Sequence, residues 1–273
     1  MRLCLLRKKG NKIMEKAKFS LTLALILASF IGLGFAGTVQ AAGDSHIELP
    51  EQEWHFNGIF GTYDKATLQR GLQVYREVCA ACHSMKRVHY RNLTDLGYSE
   101  EQVKSIAGEY MVEDGPNDEG EMFSRAATPA DPFVSPYPNE KAARYANNGA
   151  YPPDLSLITK ARKDGPNYVY ALLTGYTEPA HGEEVIEGKY YNKYFSGHWI
   201  SMAPPLMDGQ ISRSNGDAAS LDQAAYDVVN FLQWAAEPEL NDRKRMGWHV
   251  LLFLIVFAGV MYKVKKKIWS DVH

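Results

Sequence analysis

Cys79-Ala80-Ala81-Cys82-His83 is the stretch of this sequence whose residue types and spacing carry the most chemistry. Two thiols three positions apart sit on adjacent turns of a helix, so both can add to the two vinyl groups of one porphyrin while the next side chain reaches the iron. The motif predicts one covalently attached haem c, anchored by Cys79 and Cys82 and ligated by His83. Two other chemistries use the same spacing. Zinc needs two further ligands, and the only other cysteine, Cys4, lies near the start. A thioredoxin-like site opens a helix after a strand, whereas a helical pattern precedes these cysteines. The adjacent histidine selects haem.

Haem iron in an electron carrier is held on both faces, and a thioether opposite imidazole raises the potential. Met202 suits that place: Ala203-Pro204-Pro205 stiffens the backbone after it, and it lies far enough along the chain to cross to the other haem face. Met85 is too close to His83 to reach around the ring. Met111, Met122 and Met207 remain alternatives, since a lone methionine is more often core filler, and His198 would give a two-histidine centre. Between these points lies Arg144, followed at residues 147–155 by a run that contains Pro152-Pro153. A Pro-Pro step is extended and its carbonyls cannot join a helix, so one of them, that of Pro153, is free to accept the ring N–H of His83. Arg144 offers a guanidinium to a haem propionate. A plain turn and a surface arginine are the alternatives for these two residues.

The elements that must position these groups are legible around them. Asp64 can cap a helix in which Leu68, Leu72, Tyr75 and Val78 or Cys79 keep a 3/4 spacing, placing one apolar face towards the haem. Gly71 sits inside it, at a cost of about 1 kcal/mol relative to alanine unless another backbone comes close there. Residues 54–63 are aromatic and Gly-rich, a packed loop. Residues 90–143 are broken by Gly115-Pro116, Thr128-Pro129 and Ser135-Pro136 into loops with short helices. Ser220 and Gln223 form a capping box, and Ala225, Val228, Val229, Leu232 and Ala235 make the apolar stripe of a helix that ends before Pro238. Its partner is the helix before the haem, crossing closely at Gly71.

Both ends differ from this middle. Residues 1–41 read as a cleaved export signal, with a basic start, an apolar run at 21–35 and small residues near Ala41; Met14 offers a more ordinary start. An uncleaved N-terminal anchor is the alternative. Residues 246–262 are apolar apart from His249, and these 17 positions reach about 25 Å, enough for one membrane span. Lys263, Lys265, Lys266 and Lys267 follow at once, as on a stop-transfer anchor. The organisation is therefore a signal peptide at 1–41, an exported haem domain at 42–242, an anchor at 243–264 and a cytoplasmic tail at 265–273. Residues 42–242 hold 30 acidic and 16 basic residues, a net of −14 hidden within the −2 of the whole chain. Such a surface attracts basic partners and excludes nucleic acid. Its densest part, Glu109, Glu113, Asp114, Asp118, Glu119 and Glu121, reads as a solvated loop or a docking surface.

Beyond CAACH, the stretches RGLQVYREVCAACHSM, ARYANNGAYPPDLS, YVYALLTGY, YYNKYF, MAPPL and FLQWAAEPELNDRKRMG resemble the cytochrome c1 family, in order and over nearly all of residues 52–269. The resemblance implies an all-α, cytochrome c-like haem domain with long loops and one C-terminal transmembrane helix. It implies His83 and Met202 as the axial ligands and Arg144 near a propionate. Such a chain does no bond chemistry by itself. It passes single electrons from a Rieske iron-sulfur protein to a soluble c-type cytochrome, inside a dimeric quinol:cytochrome c reductase whose cytochrome b surrounds the anchor. The implied location is a bacterial inner membrane with the haem domain on the periplasmic side. Some bacterial relatives carry extra cysteines for a disulfide, and this chain has none. A membrane-anchored monohaem cytochrome feeding a terminal oxidase, or a haem peroxidase with a vacant sixth position, are the readings from other classes.

Overall fold

Helix α1 (Lys65–Glu77) begins where Asp64 accepts the Thr67 amide at 2.9 Å, satisfying one of the donors that a helix start leaves unpaired. The structure, a computed structural model, describes residues 47–179, 185–213 and 216–270. The export signal read from residues 1–41 lies outside them. After α1 come a short 3-10 turn (Cys79–Ala81), a second 3-10 segment (Tyr90–Leu96), and helix α2 (Glu100–Gly108), which Ser99 and Gln102 open with a capping box. Strands β1 (Met111–Asp114) and β2 (Phe123–Ala126) form an antiparallel hairpin. Helices α3 (Glu140–Ala146) and α4 (Gly165–Thr174) follow, then a second two-stranded pair, β3 (Tyr190–Tyr191) and β4 (Trp199–Ile200), and helices α5 (Leu221–Ala236) and α6 (Leu240–Ile268).

The core sits where α1 crosses α5. Leu68, Leu72 and Tyr75 of α1 are buried against Val228, Phe231 and Leu232 of α5. This is the partner expected for α1, because the stripe on α5 needs an apolar face of the same width. The Tyr75 hydroxyl reaches the CAACH turn, donating to the His83 carbonyl at 3.3 Å. Gly71 lies at the crossing: a Cβ there would fall 2.1 Å from the Asp227 carbonyl oxygen. Beside it Arg70 forks onto the Asp227 carboxylate with two contacts of 2.9 Å. The capping box of α5 is present as read, with Ser220 and Gln223 bonding reciprocally at 3.3 and 3.4 Å. Residues 54–63 form no regular element, and Trp54, Phe56 and Tyr63 are buried in the core. Trp54 stacks on Tyr226 of α5 with centroids 5.1 Å apart.

The stretch expected as loops with short helices is different in one place. Residues 111–126 fold as a hairpin, since Val112 and Arg125 are paired and both half-buried. Arg125 is the cation that the acidic run itself lacks: it pairs with Asp114 and forks onto Asp131 at 2.7 and 3.0 Å. Glu109 is likewise paired with Arg76, whereas Glu113, Asp118, Glu119 and Glu121 are exposed. Arg125, then the Thr128 amide, hold the Asp131 carboxyl well below the usual carboxylate range. A depressed folded-state pKa adds stability that is fully present above the unfolded value of about 4 and disappears as pH falls through the folded one. Asp131→Asn is therefore expected to unfold at lower urea concentration than the parent at pH 7, with a gap that narrows below about pH 4. Urea midpoints across that range check it, and a gap that stays constant into acid would reject it.

Helix α6 starts immediately after the Glu237-Pro238 break and runs for 29 residues, four past the expected end of the anchor, so Lys265, Lys266 and Lys267 are its last turn. Cations there oppose the negative end of the helix dipole. The helix is long and apolar enough to cross a membrane, and its apolar window is not buried in the protein.

Candidate functional site

The CAACH segment is a single tight turn. Its 3-10 geometry brings the amides of Cys82 and His83 back onto the Cys79 carbonyl at 3.2 and 2.9 Å, so the three reactive side chains leave one turn of backbone. This is a 3-10 turn after α1 rather than the adjacent helical turns expected, because α1 ends at Glu77 and Val78 leaves helical geometry. Cys79 is half-buried and packs on the core beside Val78 and Ala80, while neither Cys79 nor Cys82 is in a disulfide. Burial, with the Cys82 thiol beside it, pushes the Cys79 thiol up to about 12, so it is a neutral thiol at physiological pH.

A strap from residues 153–156 fixes His83. Its Nδ1 lies 2.8 Å from the Pro153 carbonyl oxygen. A carbonyl can only accept, so Nδ1 carries the proton and Nε2 is the lone-pair nitrogen. Burial draws the imidazole pKa down, against the opposing pull of the Pro153 carbonyl and Asp154, which favours the neutral ring that a metal requires. Four more bonds tie the same two segments: Ser84 Oγ to Asp154 Oδ2 at 2.8 Å, the Lys86 amide to Asp154 Oδ2 at 3.0 Å, the Leu155 amide to the Ser84 carbonyl at 2.9 Å, and the Arg87 amide to Ser156 Oγ at 3.1 Å. Burial opposes the charge on Asp154, yet the donors from Ser156, Lys86 and Ser84 outweigh it and keep its pKa below the ordinary value.

Arg144 is engaged at the entrance to this strap. It bonds Glu140 at 2.7 Å and the Gly149 carbonyl at 3.0 Å, and its guanidinium lies over the Tyr151 ring at 5.5 Å. Met202 stands on a separate segment just after β4 and is half-buried. Its carbonyl accepts the Tyr176 hydroxyl at 3.0 Å, and burial raises the Tyr176 pKa, so the phenol stays a donor. The rival ligands lie elsewhere or differ in setting. Met85 is fully buried in the core, Met111 and Met122 lie at the hairpin and are exposed, and Met207 is exposed. His198 sits in a left-handed backbone conformation with its ring stacked on Tyr191 and its Nδ1 buried without a partner.

The structure therefore gathers Cys79, Cys82, His83 and Pro153 in one place, while Arg144 is engaged just before the strap and Met202 stands on a separate segment tied to Tyr176. Asp154 and Tyr176 are the positioning residues that sequence reasoning missed. A carboxylate after Pro-Pro signals a local turn at most, and nothing in the sequence pairs Tyr176 with Met202. Among the described residues no group of three or more His, Cys, Asp and Glu is arranged to hold a bare metal ion. Two thiols one turn apart and a neutral imidazole with a fixed lone pair fit a porphyrin iron instead.

Such a head, mostly helical and continuous with one apolar helix, is the build of a membrane-anchored c-type haem protein. The family model described as Cytochrome C1 family matches residues 54–272. Cytochrome c1 of Rhodospirillum rubrum is 50% identical over 265 residues, covering 91% of this chain and 97% of that protein. Cytochrome c1 1, heme protein, mitochondrial, of Arabidopsis thaliana is 50% identical over 252 residues, 91% of this chain and 81% of the relative. Cytochrome b/c1 of Bradyrhizobium diazoefficiens is 47% identical over 282 residues, 94% of this chain, and the chain spans 41% of that longer relative. The chain belongs to the Cytochrome C1 family, and with it carries covalent haem c and serves electron transfer.

Proposed function

We propose that this chain is the haem subunit of a quinol:cytochrome c reductase, taking electrons from a Rieske iron-sulfur protein and passing them to a soluble c-type cytochrome on the periplasmic side of a bacterial inner membrane. Cytochrome b would flank the anchor within a dimeric complex, and quinol chemistry would belong to those neighbours. The observation that carries the reading is the strap on His83, which fixes a neutral imidazole at a turn bearing two unpaired thiols.

When bound, the haem supplies a one-electron ferric/ferrous couple. Cys79 and Cys82 would hold it as thioethers, and His83 would ligate it through Nε2. The Pro153 carbonyl sets the tautomer of that ligand and raises its basicity. Met202 would be the second ligand, with Tyr176 and Pro204-Pro205 restraining its backbone. Arg144 would supply the cation for a propionate, a role suited to a guanidinium. A centre closed on both sides leaves no position for oxygen or peroxide, so these residues tune and expose an electron carrier.

The −14 charge of residues 42–242 supports a basic acceptor. The rate of reduction of a basic soluble cytochrome c by the ferrous protein is expected to fall by roughly tenfold or more as ionic strength rises from about 0.01 to 0.15 M, where the Debye length shrinks from about 30 to 8 Å. Stopped-flow measurements check this, and a flat response would reject electrostatic steering. Solubilised membranes distinguish the assembly: co-purification with a b-type haem subunit supports the reductase, and co-purification with a terminal oxidase alone would overturn it.

A further inference from the structure

Two of the most exposed apolar side chains of the head stand side by side in an otherwise well-packed loop. Ile59 is 75% exposed and Phe60 79%, although Trp54, Phe56 and Tyr63 on either side are buried. The tip is held rigidly. Lys244 of α6 donates to the carbonyls of Phe56, Gly58 and Gly61 at 2.6, 2.7 and 2.9 Å. The Tyr63 amide donates to Asn241 Oδ1 at 3.1 Å, and the single proton of the Tyr63 hydroxyl is shared between the carbonyls of Gln233 and Glu237, 3.1 and 3.0 Å away. Gly61 closes the turn, since a Cβ there would lie 1.9 Å from the Asn57 carbonyl oxygen. These contacts fix the loop to the head-proximal end of the anchor, so the exposure of its tip is imposed by the fold.

The clamp sets the tip at a particular depth. The Phe60 ring lies edge-on to Trp248, with centroids 6.2 Å apart. Trp248 is the third residue of the apolar run 246–262, whose middle is Leu254. Six residues of helix are about 9 Å, and half of a bilayer's hydrocarbon thickness is about 15 Å. Phe60 thus falls about 6 Å beneath the boundary between acyl chains and headgroups, near the zone where aromatic side chains collect and lysine and arginine reach outward. The ring it meets, Trp248, is itself exposed, as are Met246 and Leu252 of the same helix. Arg243 and Arg245 lie about one turn nearer the head, where they pair with Glu237 and Asp242.

We propose that the Ile59–Phe60 tip inserts into the head-side leaflet of the bilayer as a second membrane contact, which fixes the tilt of the haem domain against its own anchor. The occupant of this surface is lipid, because the exposed Phe60 ring lies against the exposed Trp248 of the span itself. This rests on α6 being a membrane span, which the experiment tests separately.

The test uses the full haem-loaded chain reconstituted in vesicles of phosphatidylcholine and phosphatidylglycerol, with Cys4→Ser as background and Cys79 and Cys82 occupied by haem. A nitroxide is placed singly through Phe60→Cys, Tyr145→Cys as a water-exposed reference, or Val256→Cys as a mid-span reference. Collision with molecular oxygen and with a water-soluble nickel chelate is then read by power-saturation EPR. At position 60 the oxygen-to-nickel ratio is expected to exceed that at 145 by about threefold or more, and to stay below that at 256. Ile59→Cys, which keeps Phe60, repeats the measurement if Phe60→Cys fails to retain haem. Equal ratios at 60 and 145, with 256 in lipid, overturn the insertion alone. Low access to both reagents at 60 means that protein covers the tip, a partner subunit or a second copy, and also overturns it. A nickel-accessible 256 removes the span and the insertion together.

Discussion

Met202→Leu is expected to lower the haem midpoint potential by on the order of 0.2 V, a part of the roughly 0.8 V range that axial ligation spans. A thioether opposite imidazole favours the ferrous state, and leucine offers similar bulk without a lone pair. The contact that restrains this segment runs from the Tyr176 hydroxyl to the backbone carbonyl of Met202, so it survives the substitution. The segment should keep its place, and attachment through Cys79 and Cys82 should keep the pigment on the chain. Potential and spectrum then report ligation alone. Redox titration measures the first, and loss of the weak methionine-to-iron band in the near infrared of the ferric protein measures the second. An unchanged potential would move the ligand elsewhere. His198, whose buried Nδ1 has no partner, would be the next residue to replace.

What the chain reveals on its own follows from local rules. The caps at Asp64 and Ser220 and the crossing at Gly71 depend on residues a few positions apart or on one glycine out of place in a helix, and all three are present. The thiols and His83 are legible because covalent chemistry imposes a spacing. The Asp154 strap and the Tyr176 contact are not, since each joins segments tens of residues apart with no repeating pattern: Asp154 reaches back to Ser84, and Tyr176 forward to Met202. The hairpin at 111–126 escapes sequence reading for a related reason. Its strands are short, the first is acidic, and pairing brings Arg125 of the second to both Asp114 and Asp131. The Ile59–Phe60 tip has no place until Lys244, nearly two hundred residues later, is seen to hold it.

Gly71→Ala tests the contact on which the head depends, and two effects of opposite sign meet there. Within a helix, alanine is better than glycine by about 1 kcal/mol, so substitution at an open position stabilises. Gly108 is such a position at the end of α2, with nothing within 4 Å of where a methyl would stand, and Gly108→Ala is expected to be neutral or slightly stabilising. At Gly71 the added methyl would lie 2.1 Å from the Asp227 carbonyl oxygen and 2.6 Å from the Phe231 Cβ. Backbone cannot yield by a rotamer change, so α1 and α5 must part. Overpacking of this kind costs about 1–3 kcal/mol, and more when it disturbs a buried ion pair. Here it does, because Arg70 grips a nearly buried Asp227 from the adjacent position. Destabilisation should therefore win by about 3 kcal/mol, a large share of the roughly 5–15 kcal/mol that holds a domain folded. Denaturant unfolding followed by haem absorbance measures it. A Gly71→Ala protein as stable as Gly108→Ala would mean that the two helices do not meet at this glycine.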